Sequence, residues 1–244
     1  MQQEKQGEKQ GKICVSVAGP DVETICHQVE PLEPLLERVD VVEIRLDSMV
    51  KPDIYGCRSL LQKPLLFTNR PVWEGGACDA SEEKRIDPLL EAIQQDVAYV
   101  DFELRADQRL RQQLLAAADM TSTQIVLSWH NFENTPPQAE LDKVLAQMIE
   151  SAASTDSVDK VIGKIVTTAH TWEDALRVLW LQEQAKAANF PLSCFCMGDP
   201  GRITRLATLY LGGYMTYVCL HDAQATAPGQ LSLKQLKKLT SLLN

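Results

Sequence analysis

A lysine lies in an unusual place within the stretch KVIGKIVTTAH, residues 160–170. Lys164 follows Gly163 and precedes Ile165 and Val166, inside a run that is otherwise typical of a buried strand. A lysine desolvated among apolar residues, or close to another cation, has a lowered pKa. Such a neutral amine attacks a ketone and forms a Schiff base. Lys164 is therefore a candidate nucleophile, although a lysine near a strand end can also extend to solvent.

A histidine ends another apolar run, QIVLSWH, residues 124–130. Schiff-base chemistry needs a group that removes a proton from the carbon beside the imine, and imidazole ordinarily titrates near neutral pH. His130 is the candidate general base, and a structural or surface role is the alternative. Glu74 would orient the imidazole or share its proton.

Further polar side chains follow or end other apolar runs. Arg70 and Arg205 suit a substrate carboxylate, because the guanidinium fork matches carboxylate geometry. The other candidates for substrate contact are Glu43, Arg45, Met197, Thr226 and Gln230. Glu43 with Arg45 has the alternative of a plain ion pair between neighbouring strands.

These residues are distributed along a chain in which two kinds of segment alternate regularly. Short apolar runs predict strands, and they occupy residues 13–18, 41–46, 64–69, 99–104, 124–130, 160–166, 192–197 and 214–220. Segments with helical spacing follow them at residues 21–39, 52–62, 81–95, 106–118, 137–153, 171–188, 201–212 and 232–243. Asp21, Ser81 and Thr171 are the expected first caps of their helices.

Strict strand–helix alternation predicts a parallel sheet, and eight units in 244 residues favour a single-domain (β/α)8 barrel over 12–244. A doubly wound open sheet is the competing architecture. No GxGxxG follows the first strand and no GxxxxGK[ST] occurs, which disfavours its nucleotide-binding versions. In a barrel, chemistry lies at the carboxyl ends of the strands, where the candidate residues fall.

The composition of the chain limits the kinds of partner that it is expected to bind. The net charge of −9 argues against nucleic acid, which needs a basic face. No run of 18 apolar residues predicts a membrane span, and residues 1–11 are expected to form a disordered polar tail without the apolar core of a signal peptide. Seven cysteines without a repeated CxxC fit a reduced, cytoplasmic setting and no metal site.

Three sets of residues are expected to be structural. Asp101 and Glu103 alternate with apolar residues on the fourth strand, which favours a supporting role. Cys194 and Cys196 have strand spacing and are expected to be small hydrophobic residues on one face. Trp172 and Trp180 lie eight residues apart on a helix and are expected to be packing residues.

Taken together, these stretches resemble the type I 3-dehydroquinate dehydratases, the Schiff-base enzymes of the shikimate pathway of aromatic amino acid biosynthesis. The resemblance runs from about residue 12 to about residue 242. The histidine of SWHNF, the lysine 34 residues later and the late APGQ carry it most specifically. The other matching stretches are ICVSVAG, VVEIRLD, PLLFTNRPVWEGG, YVDFEL, GKIV and CMGDPGRITR.

The resemblance implies a role for each candidate. Lys164 would form the imine, His130 would be the general acid and base, and Glu74 would support His130. Arg205, with Arg70 nearby, would bind the substrate carboxylate. Glu43, Arg45, Thr226 and Gln230 would hold the ring hydroxyls, and Met197 would contact the ring. The implied reaction is the syn elimination of water from 3-dehydroquinate, the third step of the pathway, with no metal or organic cofactor, in a homodimer.

The chain departs from the family pattern at Asn131, Thr204 and Thr226, where Asp, Ser and Ser are common. These changes concern tuning and rate more than reaction type. Two other functions stay open. One is a class I aldolase-type lyase on the same barrel, which usually takes phosphorylated sugars. The other is a barrel that binds a hydroxylated carboxylate without turnover.

Overall fold

The computed structural model describes residues 11–30, 37–154, 158–221 and 227–243. Eight β-strands occur in the described ranges. They are β1 Lys12–Val17, β2 Val41–Arg45, β3 Leu65–Thr68, β4 Tyr99–Glu103, β5 Gln124–His130, β6 Val161–Thr168, β7 Leu192–Met197 and β8 Met215–Cys219. The predicted strands 13–18 through 214–220 match them within two residues at each end, because each boundary is marked by a change from a short apolar run to helical spacing.

A helix follows each strand. The helices in the described ranges are α1 Val22–Val29, α2 Ile54–Leu60, α3 Glu82–Gln94, α4 Gln108–Asp119, α5 Gln138–Ala153, α6 Trp172–Ala187, α7 Arg202–Tyr210 and α8 Leu233–Thr240. Asp21 caps α1 by accepting a hydrogen bond from the Thr24 backbone at 2.8 Å. Thr171 and Asp174 form a reciprocal capping box at the start of α6. Ser81 stands at the cap position of α3 but makes no side-chain capping bond.

The strands form one parallel sheet in the order β7-β6-β5-β4-β3-β2-β1-β8. The two ends of this sheet approach each other. Tyr214 N donates to Leu192 O at 2.8 Å, and Met215 N donates to the Ser193 hydroxyl at 3.1 Å. The result is a nearly closed single-domain (β/α)8 barrel, which confirms the predicted fold class and excludes the open doubly wound sheet.

Alternation along each strand separates two hydrophobic layers. Residues facing outward pack against the helices and form the larger core, to which Cys194 and Cys196 belong as expected. Residues facing inward fill the barrel; they are Cys14, Val41, Leu66, Tyr99, Val126, Ile162, Val166, Phe195, Met197, Met215 and Tyr217. Full burial of each large apolar side chain contributes about 1.5–3 kcal/mol to the free energy of unfolding.

A polar cluster lies at the amino end of the barrel. The ammonium group of Lys12 donates to the hydroxyls of Tyr99 at 2.5 Å and Tyr214 at 3.2 Å. The Tyr214 hydroxyl also donates to the Gln124 amide oxygen at 3.1 Å. These contacts tie β1, β4 and β5 to the turn before β8, so the barrel is fixed at the end opposite the candidate residues.

Several expectations need comment. Helix α1 ends at Val29, and the rest of the predicted helix 21–39 includes residues 31–36, which lie outside the described residues. The predicted tail, apart from residue 11, also lies outside them and stays a prediction. Trp172 and Trp180 are not packed: 69% and 58% of their surfaces are exposed, because their face of α6 points away from the barrel. No helix of the described part is long and apolar enough to cross a membrane.

Candidate active site

A pocket opens at the carboxyl ends of the strands. Its lining includes nine of the ten predicted site residues, and its full lining is Ser16, Glu43, Arg45, Thr68, Arg70, Glu74, Gly75, His130, Phe132, Lys164, Val166, Phe195, Met197, Arg205, Tyr217, Ala227 and Gln230. The tenth predicted residue, Thr226, lies outside the described residues. Parallel strands explain the convergence, because their carboxyl ends all meet at one rim.

Lys164 lies at the floor of this pocket and is 5% exposed. Its Nζ is 3.2 Å from Asp101 Oδ2 and 3.7 Å from Glu43 Oε1. The same nitrogen lies over the ring of Tyr217, 4.0 Å from its centroid. The strand sequence predicted apolar neighbours or a second cation, whereas two carboxylates and an aromatic face surround the amine.

Glu43 is held from both sides by hydroxyl groups. The Ser16 hydroxyl donates to Oε2, and the Thr68 hydroxyl donates to Oε1 at 2.8 Å. Parallel pairing of β1, β2 and β3 places these inward-facing side chains side by side. Glu43 therefore presents a carboxylate of fixed orientation to Lys164, not to Arg45, so the alternative of a Glu43–Arg45 ion pair between strands is not observed among the described contacts.

His130 ends β5, two residues beyond Ser128, which pairs with Lys164 on β6. Its Nδ1 is 3.2 Å from Glu74 Oε1, and its backbone N–H donates to the same oxygen at 2.7 Å. A carboxylate only accepts, so the ring proton sits on Nδ1 and the lone pair remains on Nε2. Burial, with the positive charge of Arg70, lowers the pKa of His130 to about 4. The imidazole is therefore a neutral base at neutral pH.

Glu74 belongs to the short 3₁₀ turn Val72–Glu74 that follows β3. Burial alone would raise its pKa, but the hydrogen bond with His130 and the charges of Arg70 and Arg105 outweigh that effect and lower the pKa. Glu74 is therefore an anion that holds the imidazole. Gly75 ends the turn with φ at +78°, a left-handed conformation that glycine adopts readily.

Arg70 lines the pocket and belongs to a buried charge network. Its Nη2 is 2.8 Å from Asp101 Oδ1, and its Nη1 is 2.6 Å from Glu103 Oε1. Arg85 on α3 pairs with the second oxygen of Glu103 at 2.8 Å. Burial would lower the pKa of Arg70, but Asp101 and Glu103 raise it instead. The expected supporting role of Asp101 and Glu103 agrees with these contacts, and direct binding of a substrate carboxylate by Arg70 stays a prediction.

Arg205 is the other buried guanidinium at the rim and is 2% exposed. It lies on the ring of Phe195, with Cζ 4.7 Å from the centroid. Its Nε and Nη2 have no hydrogen-bond acceptor among the described residues. Burial lowers the pKa of Arg205 to about 10, which leaves it protonated at neutral pH. A buried cation with unused donors is costly by itself, so the site is arranged to receive an anion.

Arg45, Met197 and Gln230 complete the rim. The Arg45 guanidinium forms a two-point ion pair with Asp47, with distances of 2.8 and 2.6 Å. Asp47 also accepts from the backbone N–H groups of Arg70 and Ala77, so it fixes the entrance turn. Met197 and Gln230 are buried and line the pocket.

The sequence did not single out Tyr217, Phe132 or Ser128, and it gave Asp101 only a supporting role. Asp101 on β4 and Ser128 on β5 face the barrel interior, as Lys164 and His130 do. Residues two apart on a strand share a face, so the spacing of Ser128 and His130 was the signal that could have indicated Ser128. Phe132 stacks on His130 with ring centroids 5.9 Å apart and an interplanar angle of 12°. Because its position depends on the loop after β5, no strand pattern could indicate it.

Two of the departures from the family pattern lie in the described residues, Asn131 in the loop after β5 and Thr204 in the first turn of helix α7. The Asn131 side chain accepts from the backbone N–H groups of Glu133 and Asn134 at 2.9 and 3.0 Å. It therefore shapes the loop after β5. The Thr204 hydroxyl donates to Gly201 O at 2.6 Å and accepts from Cys196 N at 2.8 Å. Both bonds are ones that a serine hydroxyl would also form, so this exchange keeps the first turn of α7, which carries Arg205.

A (β/α)8 barrel whose carboxyl rim holds a buried lysine beside a neutral, carboxylate-supported histidine has the groups that Schiff-base chemistry requires. A family model for type I 3-dehydroquinase matches residues 13–244. The chain belongs to the type I 3-dehydroquinase family.

Individual relatives agree with this placement. The chain is 38% identical over 228 residues to a 3-dehydroquinate dehydratase of Desulfotalea psychrophila, which covers 93% of this chain and 95% of the relative. A type I 3-dehydroquinate dehydratase of Clostridium difficile, solved with covalently modified comenic acid, superposes with a TM-score of 0.83 at 27% identity and covers 97% of this chain and 93% of its own. The 3-dehydroquinate dehydratase of Geobacillus kaustophilus gives a TM-score of 0.82 at 26% identity, with 96% and 91% covered.

Proposed function

We propose that the chain is a 3-dehydroquinate dehydratase, a hydro-lyase of the shikimate pathway that acts through a Schiff base on Lys164. One observation carries the proposal. Lys164 and His130 lie on adjacent strands of one pocket whose rim holds a buried guanidinium, that of Arg205, with Nε and Nη2 unbonded among the described residues. A ketone with a carboxylate on the same ring matches the amine and the guanidinium together.

The reaction begins when Lys164 Nζ gives up its proton and its free amine adds to the C3 ketone of 3-dehydroquinate. Loss of one water gives a protonated imine, which acidifies the hydrogens at C2. Nε2 of His130 removes one of these protons, and its electron pair moves into the iminium to give an enamine. The enamine then expels the C1 hydroxyl, which takes the proton back from His130 and leaves as water. Hydrolysis of the new imine releases 3-dehydroshikimate and restores the lysine.

The surroundings support these roles. Glu74 holds Nδ1–H, so Nε2 is the nitrogen that accepts the proton. Asp101 and Glu43 lie within 3.2 and 3.7 Å of Nζ, where they stabilise the positive charge that the imine retains. The electron sink is the lysine imine itself, which is why no cofactor is proposed. Arg205 would bind the carboxylate, and Glu43, Arg45, Thr226 and Gln230 would contact hydroxyls while Met197 packs on the ring.

The test is reduction with borohydride during incubation with 3-dehydroquinate, followed by intact mass and a peptide map. We expect an adduct of ligand mass on Lys164 in the wild type and none in Lys164→Met. Elimination of water without an adduct would contradict the lysine mechanism. An adduct without elimination of water would favour an aldolase-type lyase. Neither adduct nor turnover would favour a binding protein.

We also propose that the chain forms a homodimer through α6. Trp172, Leu176 and Trp180 recur every four residues along one face of this helix and are 69, 66 and 58% exposed. Ile203 on α7 and Leu242 after α8 extend the apolar area, with exposures of 50 and 76%. Exposed apolar patches of this extent are typical of interfaces, and a standard interface takes about 800 Å² from each partner.

Sedimentation velocity tests the dimer. Leu176→Glu should convert the dimer into monomers, because the new charge would be buried without a partner. Met120→Glu is the matched control, since Met120 is an equally apolar residue that is 86% exposed elsewhere on the surface. A wild type that sediments as a monomer at all concentrations would contradict the proposal.

We also propose that the protein is located in the cytoplasm. Its seven free cysteines support a reducing compartment.

A further inference from the structure

We propose that Arg105 is a positioning residue for acid–base catalysis, a role that rests on the proposed function. Arg105 lies in the turn between β4 and α4, outside the pocket lining and 46% exposed at its side chain. Its Nη2 donates to the backbone oxygen of His130 at 2.9 Å. The same nitrogen lies 3.5 Å from Glu74 Oε2, the carboxylate oxygen that does not hold the imidazole. One guanidinium therefore contacts both members of the His130–Glu74 pair from behind.

Two tryptophan rings lie against this guanidinium. Cζ of Arg105 lies 5.9 Å from the ring centroid of Trp73 and 5.7 Å from that of Trp129. Trp73 belongs to the same 3₁₀ turn as Glu74, and Trp129 immediately precedes His130. An arginine between two aromatic faces loses little freedom when it binds, so its hydrogen bonds are better directed than those of an ordinary surface ion pair.

The consequence for chemistry follows from the charges around the imidazole. Arg70 from the end of β3 and Lys164 from β6 face it as cations, whereas Glu74 and Asp101 face it as anions. Arg105 adds a cation on the far side of Glu74 and helps to lower the pKa of that carboxyl after His130 and Arg70. Arg105 thus adds to the stabilisation of ionised Glu74, and its hydrogen bond holds the His130 backbone in the position from which Nδ1 reaches Glu74.

The test compares Arg105→Ala and Arg105→Lys with Arg109→Ala. Arg109 is a suitable control because it lies on the neighbouring helix and makes one exposed pair with Glu83 at 3.5 Å. We expect Arg105→Ala to lower kcat by about tenfold, the scale of a loosened catalytic geometry. The acid limb of kcat against pH, which reports the hydrogen-bonded His130–Glu74 pair, should move to higher pH, because that pair takes up a proton more easily without the cation. Arg105→Lys keeps the charge but not the fork, so it should lower kcat without moving that limb.

A second readout does not need turnover. The chain has four histidines, so the ¹⁵N imidazole signals of His130 can be assigned by comparison with His130→Asn. In Arg105→Ala we expect a changed ratio of the two neutral tautomers of His130 and no such change in Arg109→Ala. An Arg105→Ala protein with wild-type kcat, pH profile and tautomer ratio would overturn the proposal. If the wild type does not dehydrate 3-dehydroquinate, the proposed function fails, and the tautomer ratio still decides whether Arg105 positions His130. If Arg105→Ala does not fold, Arg105→Lys is judged by the same two readouts.

Discussion

Nζ of Lys164 lies 3.2 Å from Oδ2 of Asp101, and both side chains are buried. The other oxygen of Asp101 is 2.8 Å from Arg70, so one carboxylate serves two buried cations. The amine becomes a protonated imine during the proposed reaction and keeps a positive charge. A fixed counter-ion therefore fits both the resting lysine and the covalent intermediate without rearrangement.

Asp101→Asn should destabilise the protein by about 3–5 kcal/mol, because it removes the negative charge that Arg70 and Lys164 share in the interior. Urea unfolding measures this loss. Ser128→Ala is the control: it removes a neutral hydroxyl bonded to the same carboxylate at 2.7 Å and should cost about 1 kcal/mol. Equal losses in the two variants would show that the charge on Asp101 is not what matters. Borohydride trapping on Lys164 should also fall in Asp101→Asn.

The same pair predicts how the free energy of unfolding depends on pH. Burial would raise the pKa of Asp101, but Arg70 and Lys164 outweigh it and lower the pKa. A carboxyl whose pKa is lower in the folded than in the unfolded protein stabilises the folded state at pH values above its unfolded pKa, which is about 3.9 for Asp. This stabilisation is lost as the pH falls toward the pKa of the folded state. Acid unfolding of the wild type below about pH 4 should therefore be steeper than that of Asp101→Asn, measured by circular dichroism.

His130 should set the acid limb of activity. Its pKa is lowered to about 4, so the neutral imidazole persists well below the ordinary value of about 6.5. We expect kcat/KM of the wild type to be flat down to about pH 5 and to decline below that. His130→Ala should lower kcat by about 10²–10⁴, the usual contribution of a general base, while imine formation continues. Trapped adduct that persists in His130→Ala supports separate roles for the lysine and the histidine, and its complete absence would contradict them.

Arg205→Met should separate binding from folding. The variant removes the donors that have no acceptor among the described residues, so KM should rise by about 10- to 100-fold, the worth of charge-assisted hydrogen bonds. The melting temperature should stay the same or rise, because a buried cation with no ion-pair partner among the described residues is replaced by an apolar side chain. Arg85→Met is the contrast, since Arg85 is paired with Glu82 and Glu103 and its loss should lower the melting temperature. An unchanged KM in Arg205→Met would exclude Arg205 from carboxylate binding.

Gly75→Ala should damage the site through Phe132. Gly75 has φ at +78°, and a Cβ there would lie 2.4 Å from the Phe132 ring that stacks on His130. The ring must move, so we expect a lower kcat together with a loss of about 1–2 kcal/mol from the left-handed backbone. Gly212→Ala is matched in φ at +81° but meets only the flexible Lys186 side chain, at 3.3 Å. It should therefore lose stability without losing kcat, and an equal kcat in both variants would contradict the role of the ring.

The sequence by itself determined the order of the elements and the pairing of a candidate nucleophile, Lys164, with a candidate general base, His130. Short apolar runs marked each strand, and Lys164 and His130 were recognised because one lies within such a run and the other ends one. Because a parallel barrel brings all those ends to one rim, the pair and most of its companions could be assigned to one pocket before any distance was known. The local sequence was sufficient for this assignment, because each strand can be recognised from its own apolar run.

The tertiary structure decided which side chains are already occupied. Arg70 and Arg205 look alike in sequence, yet Arg70 is held by Asp101 and Glu103 while Nε and Nη2 of Arg205 have no acceptor among the described residues. Only the tertiary structure showed that Trp172 and Trp180 are exposed. Helical spacing places them on one face of the helix but does not show whether that face packs against the barrel. Ion-pair partners and the surface that covers a helix are set by distances between residues far apart in the chain, and period and spacing report only on neighbours.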